Sequence, residues 1–308
     1  MVERRPGVMP PKPGPPPRQV SRRRILARRI AALAGVLVAA LVVVGVVKLA
    51  DRRSAPPAPT TTAIVRPKPF RIIFPEGFTR EEMAARVAAV ATIAERKSRK
   101  KVRLARRTYL LASRPRVIGG DFGAKRRNLE GFLFPATYDF LRQTTSQQLV
   151  RAQLDAFDSN WKKVDLRAAR KVHLTPYDVL IIASLVEKEA LAPDERPKIA
   201  RVIYNRLKAG MNLGIDATTR YGLHVPGTQP LRESQIQSNN PYNTRNPNVT
   251  GLPPTPIANP GLASMQAAAH PAPGKWLYFV RKPDKVHHYF TADYNDFLNH
   301  AREYGFNP

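Results

Sequence analysis

The sequence predicts an α+β protein: a single N-terminal apolar helix, a small β/α unit, and then a mixed α+β domain whose second half is rich in loops. Three observations carry this prediction. Ile30 to Val47 (IAALAGVLVAALVVVGVV) runs without a charge, capping residues at Thr79, Thr145 and Thr175 each open a helix-like stretch, and Gly, Pro and Asn recur every few residues between Asn212 and Pro260. With 308 residues, 43% of them hydrophobic, the chain is long enough for an anchor and a folded body with its own core.

The uncharged run of roughly 18 residues spans about 27 Å as a helix, close to the hydrocarbon thickness of a bilayer. A transmembrane helix is therefore expected over 30–50. Arg18, Arg22, Arg23, Arg24, Arg28 and Arg29 precede it, so the positive-inside rule leaves residues 1–29 in the cytoplasm and sends the rest across. That Pro- and Arg-rich tail is expected to be disordered. A cleaved signal peptide also begins with a basic region and an apolar stretch. The run here exceeds the usual ~7–15-residue signal core, and Lys48, Leu49, Ala50, Asp51 lacks a small-x-small cleavage pattern. Either reading exports the body.

A net charge of +28 fits a nucleic-acid binder on composition alone. An exported chain meets acidic lipids and polyanionic wall polymers instead, so no nucleic-acid partner is expected. The absence of cysteine excludes disulfides and thiolate metal ligands, and no metal site or cofactor is expected.

Residues 51–68 contain APPAPTTT and read as a stiff, solvated linker. The next unit is placed at 69–129. Phe70 to Phe74 (FRIIF) has strand character, closed by Pro75, Glu76 and Gly77, and Thr79 caps a helix expected to run through Val90. Glu95 to Arg107 is a basic insertion, and Thr108 to Ala112 (TYLLA) is expected to return as a strand, giving a β-helix-β unit. The last domain is placed at 130–308. It opens with the aromatic segment EGFLFPATY, followed by a helix from the Thr145/Gln148 capping box to about Trp161 and a short helical piece at 166–171. Thr175, Pro176 and Asp178 start the next helix, and Pro197 to Ala209 forms another ended by Gly210. One helix is expected near Arg232 to Gln237 and one over Leu262 to Ala269. Lys275 to Val280 and His288 to Phe290 read as paired strands, and Tyr294 to Tyr304 as the terminal helix. His287 and His288 point to opposite faces of a strand and do not form a metal pair.

The segment Asp178 to Ala190 (DVLIIASLVEKEA) is apolar nearly all round. At about 100° per residue, Glu187 shares an arc with Val179, Leu180, Ala183, Val186 and Ala190. A carboxyl among apolar neighbours is hard to ionise and can hold a proton near neutrality, as a general acid must. Position alone more often marks a surface glutamate or a buried ion-pair partner than a catalyst.

The ordered strings ASLVEKEA, VIYNRLKAGM, DATTRYG, NPYNT, GLPPTPIANPG and AAAHP resemble the signature of the endolytic murein transglycosylase family, also called YceG-like. FRIIFPEGFTREEMAARVA is similar to that family's small LysM-like unit, and EGFLFPATY to its linking segment. Where the family commonly shows Leu-Gln-Ser-Asp-Pro, this chain has Leu213, Gly214, Ile215, Asp216 and Ala217. The resemblance implies an enzyme of the bacterial cytoplasmic membrane that cuts peptidoglycan glycan strands from outside, with Glu187 as catalytic acid. It also implies that wall-synthesis or division proteins are partners.

Glu130, Asn205, Asp216, Tyr242, Asn243 and His270 lie in the matched strings and are candidates for holding the sugars, with Glu130 the first choice of a second acid. Each also has a structural reading: Asn243 and Asp216 as turn braces, Tyr242 as core, His270 as a helix cap. Two rival functions stand beside the lytic one. One is a muramidase hydrolysing the same bond with Glu187 and either Glu130 or Asp216, and the other is a non-catalytic wall-binding scaffold.

Overall fold

The computed structural model describes residues 22–53 and 68–306. Residues 1–21 of the expected tail and 54–67 of the expected linker lie outside the described residues. Helix α1 spans Arg22–Arg53, longer at both ends than the apolar run, and residues Arg29–Leu49 are long and apolar enough to cross a membrane. Its flanking Arg residues are good helix formers and let the helix continue past the apolar stretch.

The second unit begins with β1 (Phe70–Ile73), α2 (Arg80–Ser98) and α3 (Arg106–Ala112), followed by a hairpin of β2 (Arg116–Ile118) and β3 (Lys125–Arg127). Strand β4 (Thr137–Phe140) then pairs antiparallel with β1, with Phe70 opposite Phe140 and Ile73 opposite Thr137. Helices α4 (Ser146–Trp161), α5 (Arg167–Arg170), α6 (Pro176–Glu189) and α7 (Arg196–Lys208) follow. Short helices α8 (Asp216–Leu223) and α9 (Glu233–Ile236) lie in the loop-rich stretch ahead of α10 (Leu262–Ala269). The chain closes with the antiparallel pair β5 (Tyr278–Arg281) and β6 (His288–Thr291) and with α11 (Tyr294–Glu303).

Two expectations are corrected. Thr108 to Ala112 is helical, not a strand, because Tyr109, Ala112 and Ser113 are the buried positions, at the i, i+3, i+4 spacing of one helix face. The strand partner of β1 is β4 instead. Helix α2 also continues past Val90 to Ser98, since Ala91 and Ala94 extend the buried stripe of Met83, Ala84 and Val87. The helix stops at Arg99 in the left-handed region, and Glu95 Oε1 accepts the Val102 N–H at 3.0 Å. The two ends of the expected basic insertion are thus the end of one helix and the start of another, with a short loop over 99–105 between them. Helix α8 was not expected. Its start at Ile215 has no side-chain cap, and Gly222 interrupts its pattern.

Helix α6 is the pillar of this unit. The Thr175 and Asp178 capping box and Pro176 in the first turn fix its start, every residue from Val179 to Val186 is buried, and it packs against α7, α8 and α10. An aromatic cluster of Phe122, Phe132, Phe157 and Trp161 fills the core beside it, with ring centroids 4.9 Å apart for Phe122 and Phe132. Both ends of α6 are therefore held in place, and whatever its last turn carries is presented from a rigid base.

Candidate active site

Glu187 lies in that last turn. Its neighbours Ala183, Val186 and Ala190 on the same arc are buried, while Glu187 itself is partly exposed. Its Oε2 accepts the Gly261 N–H at 2.9 Å, a bond that fixes the orientation of the carboxyl and leaves the other oxygen open. Gly77 flanks the other side, where a β-carbon would stand 3.5 Å from Glu187 Cγ. Lys188 Nζ donates to the Gly77 carbonyl at 3.4 Å. Two glycines far apart in sequence thus line one glutamate.

Glu76, in the Pro75-Glu76-Gly77 turn after β1, comes to the same place. A β-carbon on Gly261 would fall 1.8 Å from Glu76 Oε1, so the carboxyl occupies the space that the missing side chain leaves. Partial burial raises the proton affinity of Glu76 above that of a free carboxyl, and the Glu187 charge raises it further while Arg196 opposes both. The Nε of Arg196 is buried without a hydrogen-bond partner among the described residues.

Asn259 holds this turn in position. Its backbone carbonyl accepts the Gly77 N–H at 3.0 Å, and its backbone N–H and Nδ2 both donate to the Phe78 carbonyl, at 3.0 and 2.9 Å. Its Oδ1 accepts the N–H groups of Gly131 and Leu133, each at 2.9 Å, and its Nδ2 also donates to Glu130 Oε1 at 2.8 Å. Glu130 is buried and accepts two further bonds, from Arg80 N at 2.9 Å and Tyr221 Oη at 3.1 Å. Burial pushes its carboxyl up to about 7. It shares Asn259 with the Gly77 turn beside Glu187 and has no hydrogen bond to Glu187 among the described residues.

The other candidates divide. Tyr242 lies near this network, its ring 5.2 Å from that of Tyr221 and its hydroxyl 2.9 Å from that of Thr255. Asn243 is fully buried, accepting from Thr219 Oγ1 at 2.8 Å and donating to the Ile236 and Ser238 carbonyls at 2.7 Å. Asp216 pairs with Arg245 at 2.6 Å at the start of α8. Asn205 donates to the carbonyls of Gly274 and Trp276, and His270 ends α10 with Nε2 3.8 Å from Asp165, so neither contacts Glu187. Glu189, two residues on and therefore on another flank of α6, is pushed up to about 7, chiefly by burial. His288 is buried against Glu195 at 2.7 Å, and His287 pairs with Asp284 on the exposed side.

Sequence reasoning missed Glu76, Arg196 and Asn259 as members of this site. Asn259 and Gly261 stood within GLPPTPIANPG, but Glu76 read only as a turn residue. The signal available was the pair of glycines at 77 and 261, each beside a residue the site uses.

The model of the YceG-like family matches residues 45–303. The endolytic murein transglycosylase of Bacillus subtilis is 39% identical over 155 residues, which is 50% of this chain and 42% of that protein. The endolytic murein transglycosylase of Streptococcus pneumoniae serotype 2 is 34% identical over 188 residues, 60% of this chain and 33% of that protein. The matches thus span less than half the length of these relatives. The crystal structure of a yceG-like protein from Listeria monocytogenes superposes with a TM-score of 0.61 at 28% identity, covering 74% of this chain and 75% of that one. On a family match that takes in the end of α1, the β1 turn, α6 and the Gly261 segment, the chain belongs to the YceG-like family.

Proposed function

We propose that the chain is an endolytic lytic transglycosylase that cleaves the bond between N-acetylmuramic acid and N-acetylglucosamine within peptidoglycan strands, with Glu187 as its catalytic acid. The observation that carries this reading is a partly exposed carboxyl at the end of a rigid buried helix, oriented by the Gly261 N–H. The names of the relatives support the substrate class.

Glu187 in its acid form donates a proton to the bridging oxygen as the bond to the muramic C1 breaks. Glutamate then takes the proton of the C6 hydroxyl of the same sugar, whose oxygen closes on C1. A 1,6-anhydro end results, no water is consumed, and Glu187 regains its proton. Digestion of uncrosslinked glycan strands by the full chain in detergent, with products weighed by mass spectrometry, is expected to give anhydro ends. Reducing ends, heavier by one water, would replace this reading with the muramidase. No cleavage by folded preparations that bind the strands would leave the scaffold.

In this proposal α1 anchors the chain in the cytoplasmic membrane with residues 1–29 inside, and the enzyme acts on nascent strands beside wall-synthesis or division proteins, ending their elongation. The functional division is a LysM-like unit over 69–129 and a catalytic domain over 130–308. The Arg-rich flank supports the orientation. Protease added to spheroplasts is expected to digest everything beyond about residue 51 and spare the span, and protection of the body would reverse the orientation.

A further inference from the structure

We infer that Glu76 is a second working carboxyl of this site, a positioning residue that stands with Glu187 beside Gly261 and acts on it through its charge. The inference rests on the lytic reading above and concerns how the site keeps its proton.

Its geometric basis is the absence of a side chain at Gly261. The backbone there has φ −75°, which any residue adopts, so the glycine is not needed for its conformation. The three atoms nearest to an added β-carbon, at 1.8, 2.1 and 2.7 Å, all belong to the carboxyl of Glu76. The Gly261 N–H meanwhile binds Glu187 Oε2 at 2.9 Å. One residue therefore seats both acids, one through its N–H and the other in the space beside its Cα. No described residue donates a hydrogen bond to Glu76, whereas the buried Glu130 has three such donors.

The charged groups around Glu76 are few. Helix α6 brings Glu187 and Lys188, the latter bonded to the Gly77 carbonyl, and the head of α7 brings Arg196. Residues 257–269 bring no titratable side chain. Two neighbouring carboxylates repel, and retaining one proton on the pair relieves that repulsion. A retained proton at neutral pH is what a donor to a glycosidic oxygen requires. Glu76 is itself raised by partial burial and then by the Glu187 charge, so the two carboxyls are close enough to act on one another.

The inference accounts for a carboxyl that an ordinary turn does not need. In the proposed cycle the proton leaves Glu187 for the bridging oxygen and returns from the C6 hydroxyl. Glu76 neither forms nor breaks a bond to sugar, and its charge sets the pH range over which the pair is loaded.

The test is the pH dependence of kcat/KM for anhydro-end formation by the full chain in detergent, for wild type, Glu76→Gln and Gly261→Ala. With Glu76→Gln the repulsion is gone, so the basic limb is expected to move to lower pH by about one unit. Activity at pH 8 then falls about tenfold, while activity near pH 5 stays within about twofold of wild type. Gly261→Ala keeps both acids but pushes the flexible end of Glu76 aside, and is expected to move the limb the same way with little change in Tm. A uniform loss at all pH values with an unmoved limb would assign Glu76 a structural role and overturn the inference, as would a wild-type profile in both variants. Wild type that makes no anhydro ends at any pH would instead overturn the lytic reading beneath it.

Discussion

Glu187→Gln is expected to leave the fold and strand binding intact while cutting anhydro-end formation at least 100-fold, within the range of ~10²–10⁴ for losing a general acid. The amide keeps the size of the carboxyl and can still accept the Gly261 N–H, but has no proton to transfer. The loss should fall on kcat with KM nearly unchanged, because the proton moves only in the transition state. Glu189→Gln is the necessary comparison, since burial pushes the Glu189 carboxyl up to about 7. It sits about 200° around the helix from Glu187, away from the Gly261 N–H, and its loss is expected to cost far less. Equal cleavage by wild type and Glu187→Gln would move the acid assignment to Glu189 or Glu130.

Asn259→Ala is expected to be the more damaging change to stability. It strips the acceptor from the Gly131 and Leu133 N–H groups and removes one donor from the buried Glu130. At about 1–3 kcal/mol for each of the two buried N–H groups left unpaired, the total is at least about 2 kcal/mol, a large share of a typical domain's stability. Urea unfolding followed by tryptophan fluorescence reads the shift in midpoint. Activity should fall as well, because the turn after β1 loses the Asn259 side-chain bond to the Phe78 carbonyl and keeps only its two backbone bonds to residue 259, although Glu187 is untouched. A shift below about 1 kcal/mol would mean that water replaces the amide without loss.

Much of the architecture was legible where local chemistry decides it. Thr79, Thr145 and Thr175 each form the capping box their sequences announce, and α6 has the buried, all-round apolar character of DVLIIASLVEKEA. Elements without a cap were harder. Helix α3 follows Ala105, which offers no side-chain oxygen, so TYLLA carried only its apolar and aromatic content, which suits a strand equally well. The pairing of β1 with β4 joins Ile73 to Thr137 across two helices and a hairpin, and no local pattern encodes such a partner. The site follows the same division. Glu187 could be singled out by its helix arc and its string, whereas Glu76 joins it only because the turn after β1 folds onto the end of α6. Several sequence candidates, Asn205 and Asn243 among them, hold backbone carbonyls in place, a use that polar residues in loop-rich segments share with substrate contacts.

The bond between Asn259 Nδ2 and the Phe78 carbonyl joins positions 181 residues apart, and Gly261 follows directly behind it. A chain made from its N-terminus therefore displays Glu187 well before the clamp that orients it exists. Incomplete chains carry the acid with neither its backbone donor nor its anchored turn, and the turn bearing Glu76 waits longest of all. On the proposed reading competence arrives late in synthesis, and a product truncated before Gly261 is expected to be inert toward glycan strands.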